Sequence, residues 1–251
     1  MPTEDGHLTD APDTAAHAYE RPHLLVWQDE LNASAGHHAL SLMEYVRRIG
    51  YVFQANVAQY NGLVARVQDP AFALPIFDVS NPQAHDDLHS EVERLLHNVL
   101  MALSTRIDQQ RAFMARHFRH DPTLTGRYAA KVKSDFGDYT PTGFVRDLRN
   151  YLTHHRLPVA RSRQTFSLQS FAVTFILLRR PLLEWSGWKN DTKTWLQGQD
   201  EEIEIVELID GYARIAGSFD KWLHDQIGLK LRRRCRSPRR GRAVPAVRSG
   251  R

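Results

Sequence analysis

The chain has 251 residues, 42% hydrophobic and 25% charged, the composition of an ordinary soluble protein with room for one substantial core or two small ones. No apolar run approaches the roughly 18 residues a membrane span requires, so no membrane partner is expected. The single cysteine, Cys235, excludes an intrachain disulfide and a cysteine-based zinc site within one chain. Acids but no Lys or Arg precede Arg21, the reverse of a secretory or transit signal, so a cytoplasmic location is expected.

The net charge of +4 hides two different regions. Residues 228–251 hold ten Lys/Arg and no acid, leaving 23 basic against 29 acidic residues in the remainder, a net of −6. One window inside the remainder departs from this. Between Arg127 and Arg163 there are eight basic and three acidic residues, a local excess of +5 that would attract a polyanion.

In chain order, residues 1–22 are rich in Asp, Thr, Ala and Pro and are expected to be disordered. Residues 23–227 read as a single, mainly helical domain. From Leu24 to Val67 apolar residues recur at three- and four-residue steps, with Gly36 and Gly50 as candidate breaks. Pro75 to Pro82 reads as a linker, and a second helix runs from about Gln83 to Phe118. The stretch His120–Gly143, with two prolines and three glycines, reads as a long loop. A short helix follows from Pro141 or Thr142 to Arg156, with Thr142 as candidate N-cap and Pro158 as its stop. Two strands are expected near Val159–Phe166 and Phe171–Arg179, forming a small β-hairpin. Trp185-Ser186-Gly187-Trp188 reads as a turn whose tryptophans serve as core or interface anchors. A last helix is expected over about Thr192–Gln226, and residues 228–251 form a basic disordered tail that binds nucleic acid at most loosely.

The short helix carries the chemistry. At about 100° per residue, with Phe144 at zero, Leu148, Tyr151 and Leu152 form a core stripe. His155 falls at about 20°, inside that stripe, and is expected to be packed or hydrogen-bonded in the core. His154, at about 280°, shares the polar face with Asn150 at about 240°, and Arg149 sits at its edge where a long side chain can reach round. Histidine can accept the proton of a ribose 2′-hydroxyl or return one to the leaving oxygen. A guanidinium can grip the phosphate and stabilise its developing charge, and an amide can orient either group. None of this requires a metal or cofactor.

The run Arg149-Asn150-Tyr151-Leu152-Thr153-His154 resembles the R-x4-H motif of HEPN domains, with Asn directly after the Arg. These are helical-bundle proteins, many of them ribonucleases of toxin–antitoxin and antiviral systems. The resemblance implies a metal-independent endoribonuclease acting in stress or phage defence, with its site at a homodimer interface. Arg149 and His154 inherit the catalytic roles and Asn150 the polar position beside them. Arg146, Thr153 and Arg156 are the expected substrate contacts. RNA is the expected partner, with an antitoxin or regulatory protein as a further one. The alternative is a non-catalytic helical protein that uses the same face to bind a nucleotide, RNA or a protein. Elsewhere, His85 and His89 lie one helical turn apart, a spacing that can chelate zinc, but read as solvated helix-face residues in the absence of a third ligand.

Overall fold

The computed structural model describes residues 23–137, 140–155, 160–167 and 170–236. The expectations for residues 1–22, for Arg156 and for residues 237–251 lie outside them. The protein is mainly helical, and the chain divides into two compact units, residues 1–38 and 39–251. Within the first, α1 (His23–Ala33) has no buried residue and exposes Leu24, Trp27 and Leu31. Its end is Ser34, whose hydroxyl accepts from the His37 amide. The break between the first two helices therefore falls at Ser34, not at Gly36 or Gly50.

Three long helices dominate the second unit: α2 (Ala35–Arg66), whose first turn lies in the first unit, α4 (Pro82–Phe118) and α9 (Ile205–Arg236). Between them come α3 (Pro70–Ala73), α5 (Pro122–Phe136), the motif helix α6 (Thr140–His154), α7 (Arg179–Leu183) and α8 (Asn190–Gln197). Three of the helix starts use one device. Asp69, Asn81 and Asp121 each accept a backbone N–H with the side chain, and a proline follows at the first helical position. An oxygen acceptor satisfies an otherwise orphaned donor there, and proline forfeits an N–H that had no partner.

Two expectations fail by the same physics. The stretch 120–143 is not a long loop, because it contains α5. Leu124, Tyr128, Val132 and Phe136 recur every four residues and pack against Phe219 and Trp222 of α9. The stretch 192–226 is not one helix, because β3 (Glu202–Glu204) separates α8 from α9. Helix α9 then continues past Gly228, so the fold does not stop at residue 227. Ile227 and Leu231 carry its apolar stripe onward, and Lys230 pairs with Asp121 at 2.6 Å, tying the start of α5 to the far part of α9. A Cβ at Gly228 would meet the Met43 Cε, the far end of a flexible side chain, at 3.2 Å, so the glycine leaves Met43 of α2 room against α9.

Strands β1 (Ala160–Phe166) and β2 (Phe171–Leu178) form the expected antiparallel hairpin, in register from Ala160↔Leu177 to Phe166↔Phe171. The third strand, β3, was not expected and adds beside residues 176–178 of β2. It leaves Val173 with an open backbone edge. The Gln68 side chain closes it, donating to the Val173 carbonyl at 2.7 Å and accepting its amide at 3.1 Å.

The core has two clusters. The larger joins Phe53, Tyr60, Leu96, Leu100, Phe144 and Phe175 with their neighbours, and the smaller runs along α2, α4, α5 and α9. Each fully buried Leu or Phe removes enough apolar area from water to contribute about 1.5–3 kcal/mol. Among the described residues no helix is long and apolar enough to cross a membrane.

Candidate functional site on the motif helix

Helix α6 is buried at its start and open at its end. Phe144, Val145, Leu148 and Tyr151 are buried. Phe144 lies against Trp188 and Trp195, with ring centroids 5.7 and 4.8 Å apart. Tyr151 stacks on Trp188 at 5.5 Å and meets Trp185 edge-on. The Trp188 indole donates to the Leu182 carbonyl at 2.7 Å, which satisfies its one polar atom in the core. Both tryptophans are thus anchors for the motif helix.

Thr142 is not the N-cap. It is buried inside α6, and its hydroxyl donates to the Phe136 carbonyl at 3.3 Å. The acid that fixes this half is Asp147, which is buried, accepts from the Thr192 hydroxyl at 2.7 Å and faces Lys189 at 3.4 Å. Asp147 therefore clamps α6 to α8. A buried carboxylate needs such partners, and hydrogen bonds to a charged group each contribute about 1.5–3 kcal/mol. Arg146, an expected substrate contact, touches Asp147 at 3.4 Å and lines a cavity shared with α4, α5 and α9.

The open end carries the motif. Arg149 and Asn150 are half-buried, while Thr153 and His154 are exposed. Arg149 Nη1 donates to Asn150 Oδ1 at 3.0 Å, and Arg149 Nε is buried without an acceptor. Thr153 turns its hydroxyl back to the Arg149 carbonyl at 2.9 Å, so it serves its own helix. Arg149 and His154 are separated by about 7.5 Å along an ideal helix axis and by about 140° around it. Asn150 stands one turn before His154, and its side-chain oxygen accepts from Arg149.

His155 corrects the sequence expectation. Its amide still bonds to the Tyr151 carbonyl at 2.9 Å, and its ring packs edge-on against Tyr151 at 5.0 Å. Helical phase thus points it to the same side as the core stripe. It is nevertheless exposed, because no described residue covers the last turn of α6.

Tertiary pairing also thins the basic window. Lys131 pairs with Asp135 inside the window, and Arg163 of β1 reaches across the sheet to two acids outside it, Glu202 and Glu204 of β3. Glu202 and Glu204 lie about forty residues on, too far for the local charge count to include them. Among the described residues Arg149 has no carboxylate partner. This separates it from Arg106, Arg163 and Arg179, which all do.

His85 and His89 place their rings edge to face at 4.2 Å, and His89 Nε2 meets the Ser162 hydroxyl at 3.1 Å. Burial, and then the neighbouring His85, hold the His89 pKa below the ordinary histidine value. Among the described residues no group of three or more His, Cys, Asp or Glu is arranged to hold a metal ion. Comparison with known proteins finds no matching family model, no matching curated protein and no matching solved structure.

Proposed function

We propose that the protein is a metal-independent endoribonuclease of the HEPN type, with its site at the open end of α6. The observation that carries this reading is the state of Arg149. Its guanidinium is half-buried, hydrogen-bonded to a neutral amide and free of any carboxylate among the described residues. Five N–H donors with one neutral partner leave capacity for an oxyanion, and a phosphate diester accepts two of them side by side.

In the proposed reaction His154 accepts the proton of a ribose 2′-hydroxyl. The 2′-oxygen attacks the adjacent phosphorus, the bond to the 5′-oxygen breaks, and a proton returns to that oxygen. The products are a 2′,3′-cyclic phosphate and a free 5′-hydroxyl. Arg149 neutralises the charge that grows on the phosphoryl oxygens, and Asn150 aims it. His154 of one chain supplies either the base or the acid. A homodimer that joins two α6 ends would supply both from two copies of His154.

The test is RNA cleavage by the purified full chain in the presence of a chelator, for wild type, Arg149→Ala and His154→Ala. Cleavage by wild type and its loss in both variants is the expected result. Equal activity in all three would remove the assignment. RNA binding without cleavage by wild type would instead favour a non-catalytic RNA-binding helical protein.

A further inference from the structure

A cavity of about 50 Å³ lies among α4, α5, α6 and α9. By volume it holds about three water molecules, or one group of that size. Three arginines are among the residues that line it, Arg106 and Arg111 of α4 and Arg146 of α6, and all three charges act on the Tyr212 hydroxyl. Half of the remaining lining residues are aromatic, Tyr128, Phe136, Tyr212 and Phe219.

The charges around this space do not balance. Arg106 is buried and donates through Nε and one Nη to both Asp220 oxygens and to the Ala216 carbonyl. Asp220 is further occupied by the Gln110 amide at 2.6 Å. Arg146 touches Asp147 only at 3.4 Å, and Asp147 is already shared with Thr192 and Lys189. Arg111 has no carboxylate partner among the described residues and is exposed. Among the described residues, two of the cations lining this cavity thus have no full counter-charge of their own. Positive charge beside a low-dielectric space attracts an anion far more strongly than it does in open water.

The neutral groups point the same way. The hydroxyls of Tyr128 and Tyr212 are both pushed above the ordinary tyrosine value, burial being the main cause, so they stay protonated and able to donate. The cavity therefore offers guanidinium and phenol donors in a volume that fits one tetrahedral oxyanion. Arg106 forms its buried side, while Arg111 and the partly exposed Arg146 connect it to solvent.

We infer that this cavity binds a phosphoryl group, either as free phosphate or as the end of a nucleotide. The inference does not rest on the ribonuclease reading, because the site lies among four helices and does not use the open end of α6. The test is calorimetric titration and thermal denaturation of the full chain with inorganic phosphate and, separately, with a nucleoside monophosphate. Ionic strength is held constant with chloride. Saturable binding at millimolar ligand or below is expected, with Arg111→Gln and Arg146→Gln each weakening it about tenfold or more. Arg116→Gln, an exposed change on the same helix, leaves it unaltered. Tighter binding of the nucleoside monophosphate identifies a nucleotide as the source, and tighter binding of phosphate identifies the free ion. Absence of saturable binding for both ligands, or binding that Arg111→Gln leaves unchanged, overturns the proposal. Arg111→Gln is decisive because Arg111 is exposed and its loss does not disturb the core.

Discussion

Arg106 and Arg149 carry the same guanidinium on neighbouring packed helices and are treated in opposite ways. Arg106 is buried, and its donors are matched to a carboxylate, a backbone carbonyl and a cavity wall of aromatic rings. Arg149 is half-buried, and among the described residues an amide is its one side-chain partner and its Nε has none. A buried cation whose donors meet a carboxylate and a backbone carbonyl of another helix holds helices in place. A cation with donors left over has capacity for an outside oxyanion, which is what the proposed ribonuclease site requires of Arg149. Partner chemistry separates the two arginines where residue type does not.

The sharpest way to break that contrast is Asp220→Ala. It leaves Arg106 buried without its counter-ion, and a loss of about 3–5 kcal/mol in urea denaturation is expected. A loss under about 1 kcal/mol would mean that Arg106 is not held as a structural ion pair. Next comes the open end of α6. His154→Ala should reduce RNA cleavage by about 10²–10⁴-fold, with stability within about 0.5 kcal/mol of wild type. Parallel losses of stability and activity would place His154 in the scaffold.

Gly50→Ala probes the Arg106 side more gently. A Cβ there would meet Asp220 Oδ2 at 2.7 Å, and Asp220 cannot swing aside without releasing Arg106 and Gln110. A cost of about 1–3 kcal/mol is expected. A neutral result would show that the cluster can shift as a unit. His155→Ala probes the other side and should change stability by about 0.5 kcal/mol or less, since the ring is exposed. A larger loss would return His155 to the core role that helical phase assigns it.

The smallest effect is one of pH. The folded pKa of His89 lies below its unfolded value near 6.5, so the unfolded chain binds that proton more readily. Its contribution to stability is complete above the ordinary histidine range. It is lost as pH falls through that range toward the folded value. Denaturation midpoints measured above and below the range should differ less in His89→Gln than in wild type. Identical pH slopes would show that another group sets the dependence.

Much of the helical layout is written in local pattern. Apolar spacing placed α2 and α4, and the β-branched and aromatic run 171–178 read correctly as a strand. Leu124, Tyr128, Val132 and Phe136 carried the same information for α5, and Asp121-Pro122 marked its start. Glycines and prolines at the ends of the segment obscured both. Gly228 and Gly50 misled for a different reason. In each case the missing side chain leaves room for a side chain of a neighbouring helix, and a helix under tertiary packing tolerates the cost of about 1 kcal/mol that glycine carries alone.

The sequence by itself determined the mainly helical class, the hairpin, and a motif of Arg149, Asn150 and His154 on one helix. Those depend on residues within a few turns of one another. Only the tertiary structure decided which charges are spent. It paired Arg163 with Glu202 and Glu204, buried Asp147 against Thr192, turned Arg146 toward an interior cavity, and left His155 uncovered. The physical reason is that a charged side chain's role follows from the partners within a few ångströms of it. Here those partners mostly come from elements far away along the chain. Arg149 keeps its donors available because no such element brings it a carboxylate among the described residues.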